Sequence, residues 1–585
     1  MQGSIIPNRP LTKRQKLDIL VSQLDQEYNT FRPLLRDLND YILPVRGRFF
    51  ITDVNRGDRR NLKIIDSTAT TAARTLRAGM VSGVTSPARR WFKLETSDPV
   101  LNRMPKVKDW LHSTAERMNK AFTKSNYYQT KPLVYGDIGT FGTAAFSMLK
   151  DFNSVIHTQS FPIGSFRIAK DAKGRINVFV REFRMTIAQL IEMFGEPDKS
   201  GKPDWSRFST YVRNQYEQAQ YQTWVDVVHV VKPNEDYNPR MMESKYKKFM
   251  SCYYERGWTS GQQGNYMSAE REDVFLSEMG FDYFPVLCPR WEVAGEDVYG
   301  TDCPGITALG DVKQLQWAEK RIAEAIERVN KPPMKGPTSL RNQKTSILPG
   351  DITFTDERDG QKGMTPIYQI DPRINEMEMK NQQLRGRIEE VYYKNLFLMM
   401  VESDRRQITA REIDERAEEK LIALGPVMEQ VNQDDLDPSI DLLFNYMVEM
   451  NMIDDPPEEL QGRPLNVEYI SMMAQAQKMV GIGSLERAAG FVGQLIAPFP
   501  DAGKKLNIHK IIDAYGDTLS LPPGVIRSDE EVAELAQAEQ QAQMQQQRMM
   551  MLSEGAKAAN QLAGADMSGD NILTRISEQV EASQA

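Results

Sequence analysis

Residues 11–43 place apolar side chains at Leu17, Leu20, Val21, Leu24, Leu34, Leu35, Leu38 and Ile42, the three- and four-residue spacing of an amphipathic helix. Pro33 falls inside that stretch and predicts a kink or a split, because its ring removes a helical donor and crowds the preceding turn. Further helices are predicted over 64–81, ending before Ser82-Gly83, over 107–122 and over 129–139. From about 155 to 300 the period shortens to that of strands. Phe166-Arg167-Ile168 and Ile176–Val180 flank Asp171-Ala172-Lys173-Gly174, a hairpin signal, and Trp224–Val231 and Pro285–Val293 read as further strands.

The middle of the chain carries two long helical patterns. Over 304–331 the apolar positions Val312, Leu315, Ile322, Ile326 and Val329 share one face, and Pro332-Pro333 ends the pattern. At about 1.5 Å per residue this helix would span about 40 Å. Residues 334–371 form a Gly- and Pro-punctuated excursion with short strands such as Asp351–Phe354 and Thr365–Tyr368. A second helix follows over 373–400, with Ile374, Met377, Leu384, Ile388, Val391 and Leu398 as its stripe. Val401–Ile408 reads as a polar loop holding Arg405 and Arg406. Thr409 with Glu412 forms a capping box for the next helix, Ile408 can staple onto Ile413, and Gly425-Pro426 predicts a bend within it. Shorter helices are expected over 467–480, 484–497 and 505–516, and Ser528 with Glu531 caps a last helix into Ala-, Gln- and Met-rich sequence. The sum is an α+β chain, predominantly helical, with a sheet covered by helices.

Composition narrows the chemistry. The chain has 585 residues, 26% of them charged, with mean hydropathy −0.51 and no apolar run near the roughly 18 residues a membrane span needs. No secretory signal is visible, and three scattered cysteines, Cys252, Cys288 and Cys303, offer neither a disulfide framework nor a Cys-rich metal site. The starting expectation is a soluble protein of a reducing compartment. Gly195–Pro203 approaches a phosphate loop but has five residues between its glycines, and Pro203 stands where a hydroxyl is required, so it reads as a surface turn. No HExxH, GxSxG or GxGxxG motif occurs, and the four histidines are read as structural. Trp91, Phe92 and Trp291 read as core or subunit-interface packing rather than base-stacking platforms. Catalysis, metal and cofactors are therefore not expected.

Charge is unevenly distributed. The net charge is −7, yet residues 1–100 hold 17 basic and 10 acidic side chains, whereas 401–470 hold 6 basic and 18 acidic. A conventional duplex binder would carry a basic excess. The acidic stretch reads either as a solvated helical face or as a wall that repels polyanions.

Several segments, in order, resemble the head-to-tail connector (portal) family of short-tailed bacteriophages. They are Ile65-Asp66-Ser67-Thr68, Gly79–Leu94 with its Ser-Pro-Ala-Arg-Arg-Trp-Phe core, Val107–Leu111, Ser125–Tyr128, Phe141–Ala144, Pro289-Arg290-Trp291 and Val298-Tyr299-Gly300. The resemblance implies a non-enzymatic homo-oligomeric ring, usually of about twelve copies, closed by heterologous contacts. It implies a capsid-vertex location in the virion, assembly in the host cytoplasm, and double-stranded DNA passing through the bore. The implied partners are the terminase packaging motor, tail adaptor or nozzle proteins, and the major capsid and scaffolding proteins, with no membrane and no cofactor.

Carried onto this chain, the family architecture makes 1–303 wing, 304–331 the first stem helix, 332–372 the clip and 373–400 the second stem helix. Residues 401–408 become the tunnel loop, 409–460 the kinked wing helix, 461–527 the crown and 528–585 a C-terminal tail. Arg405 and Arg406 are then cations facing DNA, or else surface partners of Glu402 and Asp404. Lys331, Lys335, Arg341 and Lys344, in a stretch 328–350 without any acid, either dock acidic partners and touch phosphate or form a solvated loop. The alternatives to a DNA conduit are a scaffolding or internal virion protein and, less favoured by the failed phosphate loop, a DNA-packaging ATPase.

Overall fold

The computed structural model describes residues 11–53, 57–98, 100–196, 203–256, 274–332, 373–398 and 424–471, together with 334–335, 365–366 and a few short helical pieces between 473 and 550. Helix and sheet are mixed, as α+β composition predicts. The chain divides into two compact units, Met1–Gly503 and Lys504–Ala585; in the second, 537–547 are helical and exposed.

Helix α1 (Lys13–Tyr41) opens on a capping box between Thr12 and Gln15 and runs unbroken past Pro33. The split expected at Pro33 does not occur. The proline is exposed, while buried side chains hold the helix on both sides of it, Leu17, Val21 and Leu24 in one core and Tyr28, Leu35 and Leu38 in another. Helix α2 (Thr68–Val84) starts four residues later than its apolar pattern predicts and continues through Ser82-Gly83. Its glycines are contact points rather than a stop: a Cβ on Gly79 would lie 2.2 Å from the Phe397 ring. Strand β1 (Phe92–Thr96), helix α3 (Pro105–Lys124) and helix α4 (Tyr127–Phe141) follow, with Trp91 and Phe92 buried as expected.

Strands β2 (Ala145–Asp151) and β3 (Val155–Phe161) form a hairpin. Next come β4 (Phe166–Lys170) and β5 (Ile176–Thr186), joined by the predicted turn. There Asp171 accepts from the Lys173 and Arg175 amides, and Gly174 takes φ +82°, which a Cβ disfavours. Helices α5 (Ile187–Phe194) and α6 (Thr210–Glu217) precede β6 (Trp224–Pro233), β7 (Phe249–Glu255) and β8 (Ser277–Phe281). The five strands β4 to β8 pair in sequence order as one antiparallel sheet. Val180, Val228, Val230, Cys252 and Tyr254 face α1, and alternate residues such as Met185, Val225 and Val227 face α5 and α6. Of the strand expected over Pro285–Val293, only β9 (Val286–Leu287) forms, beside β2, and Trp291 is buried beyond it.

Helix α7 (Pro304–Asn330) starts at its proline and stops at Lys331, as the sequence predicts. A two-residue ladder, β10 (Met334–Lys335) with β11 (Thr365–Pro366), closes the base of the excursion between α7 and helix α8 (Ile374–Val391). Helix α9 (Gly425–Val431) begins at Gly425 with Pro426 in its first turn, and the stretch 409–423, on which the predicted bend at this dipeptide depends, lies outside the described residues. A π-helical segment over Asn432–Leu436 follows, before helix α10 (Asp437–Glu449). Thr409, Glu412, Ile408 and Ile413 lie outside the described residues. The helix predicted from 467 is preceded by strand β12 (Leu465–Tyr469), whose Leu465, Val467 and Tyr469 stand opposite Thr96, Leu94 and Phe92 of β1. Alternation decides the state here, because β1 offers a free edge that a helix could not pair with.

All three cysteines are free and buried. Among the described residues no helix is long and apolar enough to cross a membrane, and no cluster of His, Cys, Asp and Glu could hold a metal ion.

Candidate functional site

Helices α7 and α8, on either side of the excursion, pack against each other. Gly305 brings the start of α7 against α4 so closely that a Cβ would lie 2.1 Å from the Thr140 carbonyl oxygen. The seam is apolar along its first part, with Val312, Leu315 and Ile322 of α7 and Leu384 and Ile388 of α8 buried. Ile326 and Val329 continue the stripe on the sequence but stand 41% and 48% exposed. Past Ile322 the helix therefore carries apolar side chains that a single copy leaves uncovered.

Polar groups lock this pair to the segment Ile65-Asp66-Ser67-Thr68. The buried Gln316 side chain on α7 accepts from the Ile65 amide at 2.6 Å and the Asp66 amide at 2.8 Å, and donates to the Asp66 carbonyl at 2.8 Å. It substitutes for a strand partner along two residues of irregular backbone. Arg385 of α8 donates to Asp66 and Glu378 at 2.9 Å each and also to Glu319 of α7, while Asn381 donates to Glu319 at 2.9 Å. Asp66 also accepts from the Thr68 amide at 2.8 Å. Burial alone would raise the Asp66 pKa, but the Thr68 and Arg385 hydrogen bonds outweigh it and hold the carboxyl below its ordinary value.

The excursion between the helices holds the predicted docking cations. Lys331 lies exposed directly after α7, its amide donating to the Glu327 carbonyl at 2.8 Å. Lys335 falls on β10, opposite Thr365. Arg341, Lys344, Arg405 and Arg406 lie outside the described residues. The structure thus places two of the six predicted site residues, both at the base of the excursion.

The acidic stretch has a role that sequence reasoning missed. Five acids between 424 and 470 are partners of basic residues in the first 300. Lys93 meets Glu468 at 2.6 Å, Lys150 meets Glu449 at 2.9 Å, and Arg290 grips Asp434 through Nε at 2.8 Å and Nη2 at 3.0 Å. Arg117 pairs with Asp454, and Lys131 with Asp435. Five of the eighteen acids of 401–470 thus meet cations elsewhere in the chain, one of them, Lys93, in the basic first hundred residues; Asp435 is fully buried in doing so, whereas Asp454 stays exposed on a solvated surface.

Asp434 and Asp435 sit side by side in the π-helical segment, yet each reaches a different basic partner on the body. Lys131 and Asp435 are both fully buried, and Lys131 lies over the rings of Tyr127, Phe146 and Tyr135 at 4.8, 5.0 and 5.6 Å. Burial pushes the lysine pKa down and the aspartate pKa up, opposed by their mutual attraction. The sequence signals were weak: adjacent acids in a helix, and a lone lysine before Pro132 in a helix whose one other charged residue is Asp137.

The family described as "Bacteriophage head to tail connecting protein" matches residues 14–526. The chain is 41% identical over 573 residues to the portal protein of Salmonella phage epsilon15, covering 98% of this chain and 99% of that one. It is 36% identical over 565 residues to the probable portal protein of Bordetella phage BPP-1, covering 97% and 98%.

Proposed function

The chain belongs to the family of bacteriophage head to tail connecting proteins, and on that premise we propose that it forms a closed ring at one capsid vertex through which double-stranded DNA is packaged and later ejected. The ring holds about twelve copies related by heterologous contacts, and it docks first the packaging motor and then the tail. The carrying observation is the similarity to two portal proteins over nearly the full length of each.

In this reading α7 and α8 are the stem, with 304–331 and 373–400 as its two strands of helix, and 332–372 is the clip. Residues 1–303 and 409–460 form the wing, 401–408 the tunnel loop, 461–527 the crown and 528–585 a tail. The uncovered Ile326 and Val329 support stem packing between neighbours, since a side-by-side ring gives each helix pair a second partner. Lys331, Lys335, Arg341 and Lys344 give the clip a basic surface for acidic partners, and Arg405 and Arg406 face the DNA.

The physical demand on a conduit is weak adhesion. A duplex carries one charge per roughly 1.7 Å of axis, so a bore lined with cations throughout would hold it at every step. The acidic excess of 401–470, 18 acids against 6 basic side chains, suits a wall that does not hold the duplex. The protein works by shape and charge, without a chemical step. Negative-stain imaging of purified protein, with mass by light scattering, tests the reading: rings with a central hole are expected, and a particle of one 66.8 kDa chain under all assembly conditions would refute it.

A further inference from the structure

Across the middle of the five-stranded sheet, Arg181 of β5 stands between Phe166 of β4 and His229 of β6 in register, with Tyr253 of β7 next in the row. Its guanidinium lies 4.1 Å from the ring centre of Phe183 and 4.6 Å from that of Phe161. Other recessed arginines each have a carboxylate: Arg46 has Asp137, Arg167 has Asp25, Arg184 has Asp226 and Arg290 has Asp434. Arg181 has none among the described residues, and burial, opposed only by Tyr253, pushes its pKa down to about 10. Arg181 is half-buried, and a recessed cation without a counter-charge is costly unless a partner completes it. Stacking on the two phenyl rings leaves the in-plane N–H fork of the guanidinium preset for a bidentate carboxylate.

We propose that Arg181 is a docking residue for a carboxylate on the neighbouring copy of this chain. The inference rests on the ring reading above and names one of its contacts. The site holds a single recessed cation, since Arg184–Asp226 and Arg256–Glu182 lie on the opposite face of the sheet, which suits one acidic side chain and not a phosphate backbone that needs several contacts. The chain itself supplies complementary groups: Asp455, Glu458 and Glu459 are exposed and take part in no described ion pair. A heterologous ring brings different surfaces of adjacent copies together, as this pairing requires.

The test uses the full-length protein with Arg181→Met, which keeps the stacking and removes the charge, and with Arg181→Lys, which keeps the charge and removes the fork. Arg181→Met is expected to raise the thermal transition of the isolated subunit while raising the concentration needed for ring assembly at least about tenfold; Arg181→Lys should fall between it and wild type in assembly. Arg181→Met rings that assemble at the wild-type concentration would overturn the docking role and leave the ring reading intact. A lowered subunit transition in Arg181→Met would overturn it too, since the cation would then already be compensated within one chain. Wild-type protein that never forms rings would refute the ring reading itself. Inorganic phosphate that stabilises the wild-type subunit but not Arg181→Met, with assembly unchanged, would make this a free-anion site and equally overturn the proposal.

Discussion

Lys131 and Asp435 lie 304 positions apart in the sequence and meet as an ion pair with neither side chain exposed. One end is fixed in α4, in the middle of the largest core; the other sits in the π-helical break between α9 and α10. Ser439 donates to Asp435 Oδ1 at 3.3 Å, whereas Oδ2 has no partner. Removing one charge should therefore cost more than removing both. Lys131→Met is expected to destabilise the subunit by about 3–5 kcal/mol, because it leaves a buried carboxylate unpaired. Lys131→Met with Asp435→Leu should recover most of that loss. Urea unfolding of the two variants and wild type checks the ordering, and a double variant as unstable as the single would show that the pair itself supplies the stability.

His229 gives a pH signature. It is buried, its Nε2 within 2.9 Å of Ser251 Oγ, stacked on Tyr253 at 3.8 Å and facing Arg181 across the strands. Burial first, and the Arg181 charge second, push its pKa down to about 3. In the unfolded chain it returns to about 6.5. The unfolded state then binds the extra proton between these values, so this contribution is complete above pH 6.5 and is lost as pH falls towards 3. At one pKa unit per roughly 1.4 kcal/mol, the loss reaches about 5 kcal/mol. His229→Gln should flatten the fall in urea midpoint between pH 6.5 and 4 relative to wild type. Equal slopes for the two proteins would show that the imidazole titrates normally in the fold.

The Gln316 side chain makes a different prediction, because it satisfies backbone instead of a charge. Gln316→Leu fills the same volume but leaves the Ile65 and Asp66 amides and the Asp66 carbonyl without their partner. A loss of about 2–3 kcal/mol is expected. Hydrogen exchange localises it: the Ile65 and Asp66 amides should lose protection while those in the middle of α4 keep theirs. Unchanged protection at the two amides would mean that another group holds this segment.

Local signals made part of this architecture legible. Pro304 and Pro332-Pro333 bracket α7 because a proline fits a first helical turn and ends a last one. Asp171 and Gly174 mark the β4–β5 turn by their own hydrogen bonds and dihedral angle. What the sequence concealed is long-range. Leu465–Tyr469 becomes a strand only because β1, some 370 residues earlier, lends it an edge. The surplus acids of 401–470 looked like a solvated face or a wall because no local pattern reveals that Asp434, Asp435, Glu449, Asp454 and Glu468 have partners far upstream. The family segments were legible as motifs but not as mechanics: Asp66 and Arg290 turn out to tie distant helices to the body.

Arg405 and Arg406 remain the sharpest test of the conduit reading. On the proposed tunnel-loop placement, the two cations would be available to a passing duplex. Glu402 and Asp404 are the adjacent competitors. On that proposed placement, Arg405→Glu with Arg406→Glu should leave ring yield and the thermal transition unchanged, since substitutions in an exposed loop typically alter stability by less than about 0.5 kcal/mol. Packaged DNA per particle, or its retention after packaging, should fall, because two attractive contacts per subunit become repulsive and a ring multiplies them around the bore. Arg405→Lys with Arg406→Lys should keep most of the function, as phosphate contact needs the charge more than the fork. Rings lost in the charge-reversed protein would place these arginines in subunit packing, and full packaging with it would remove them from the DNA path.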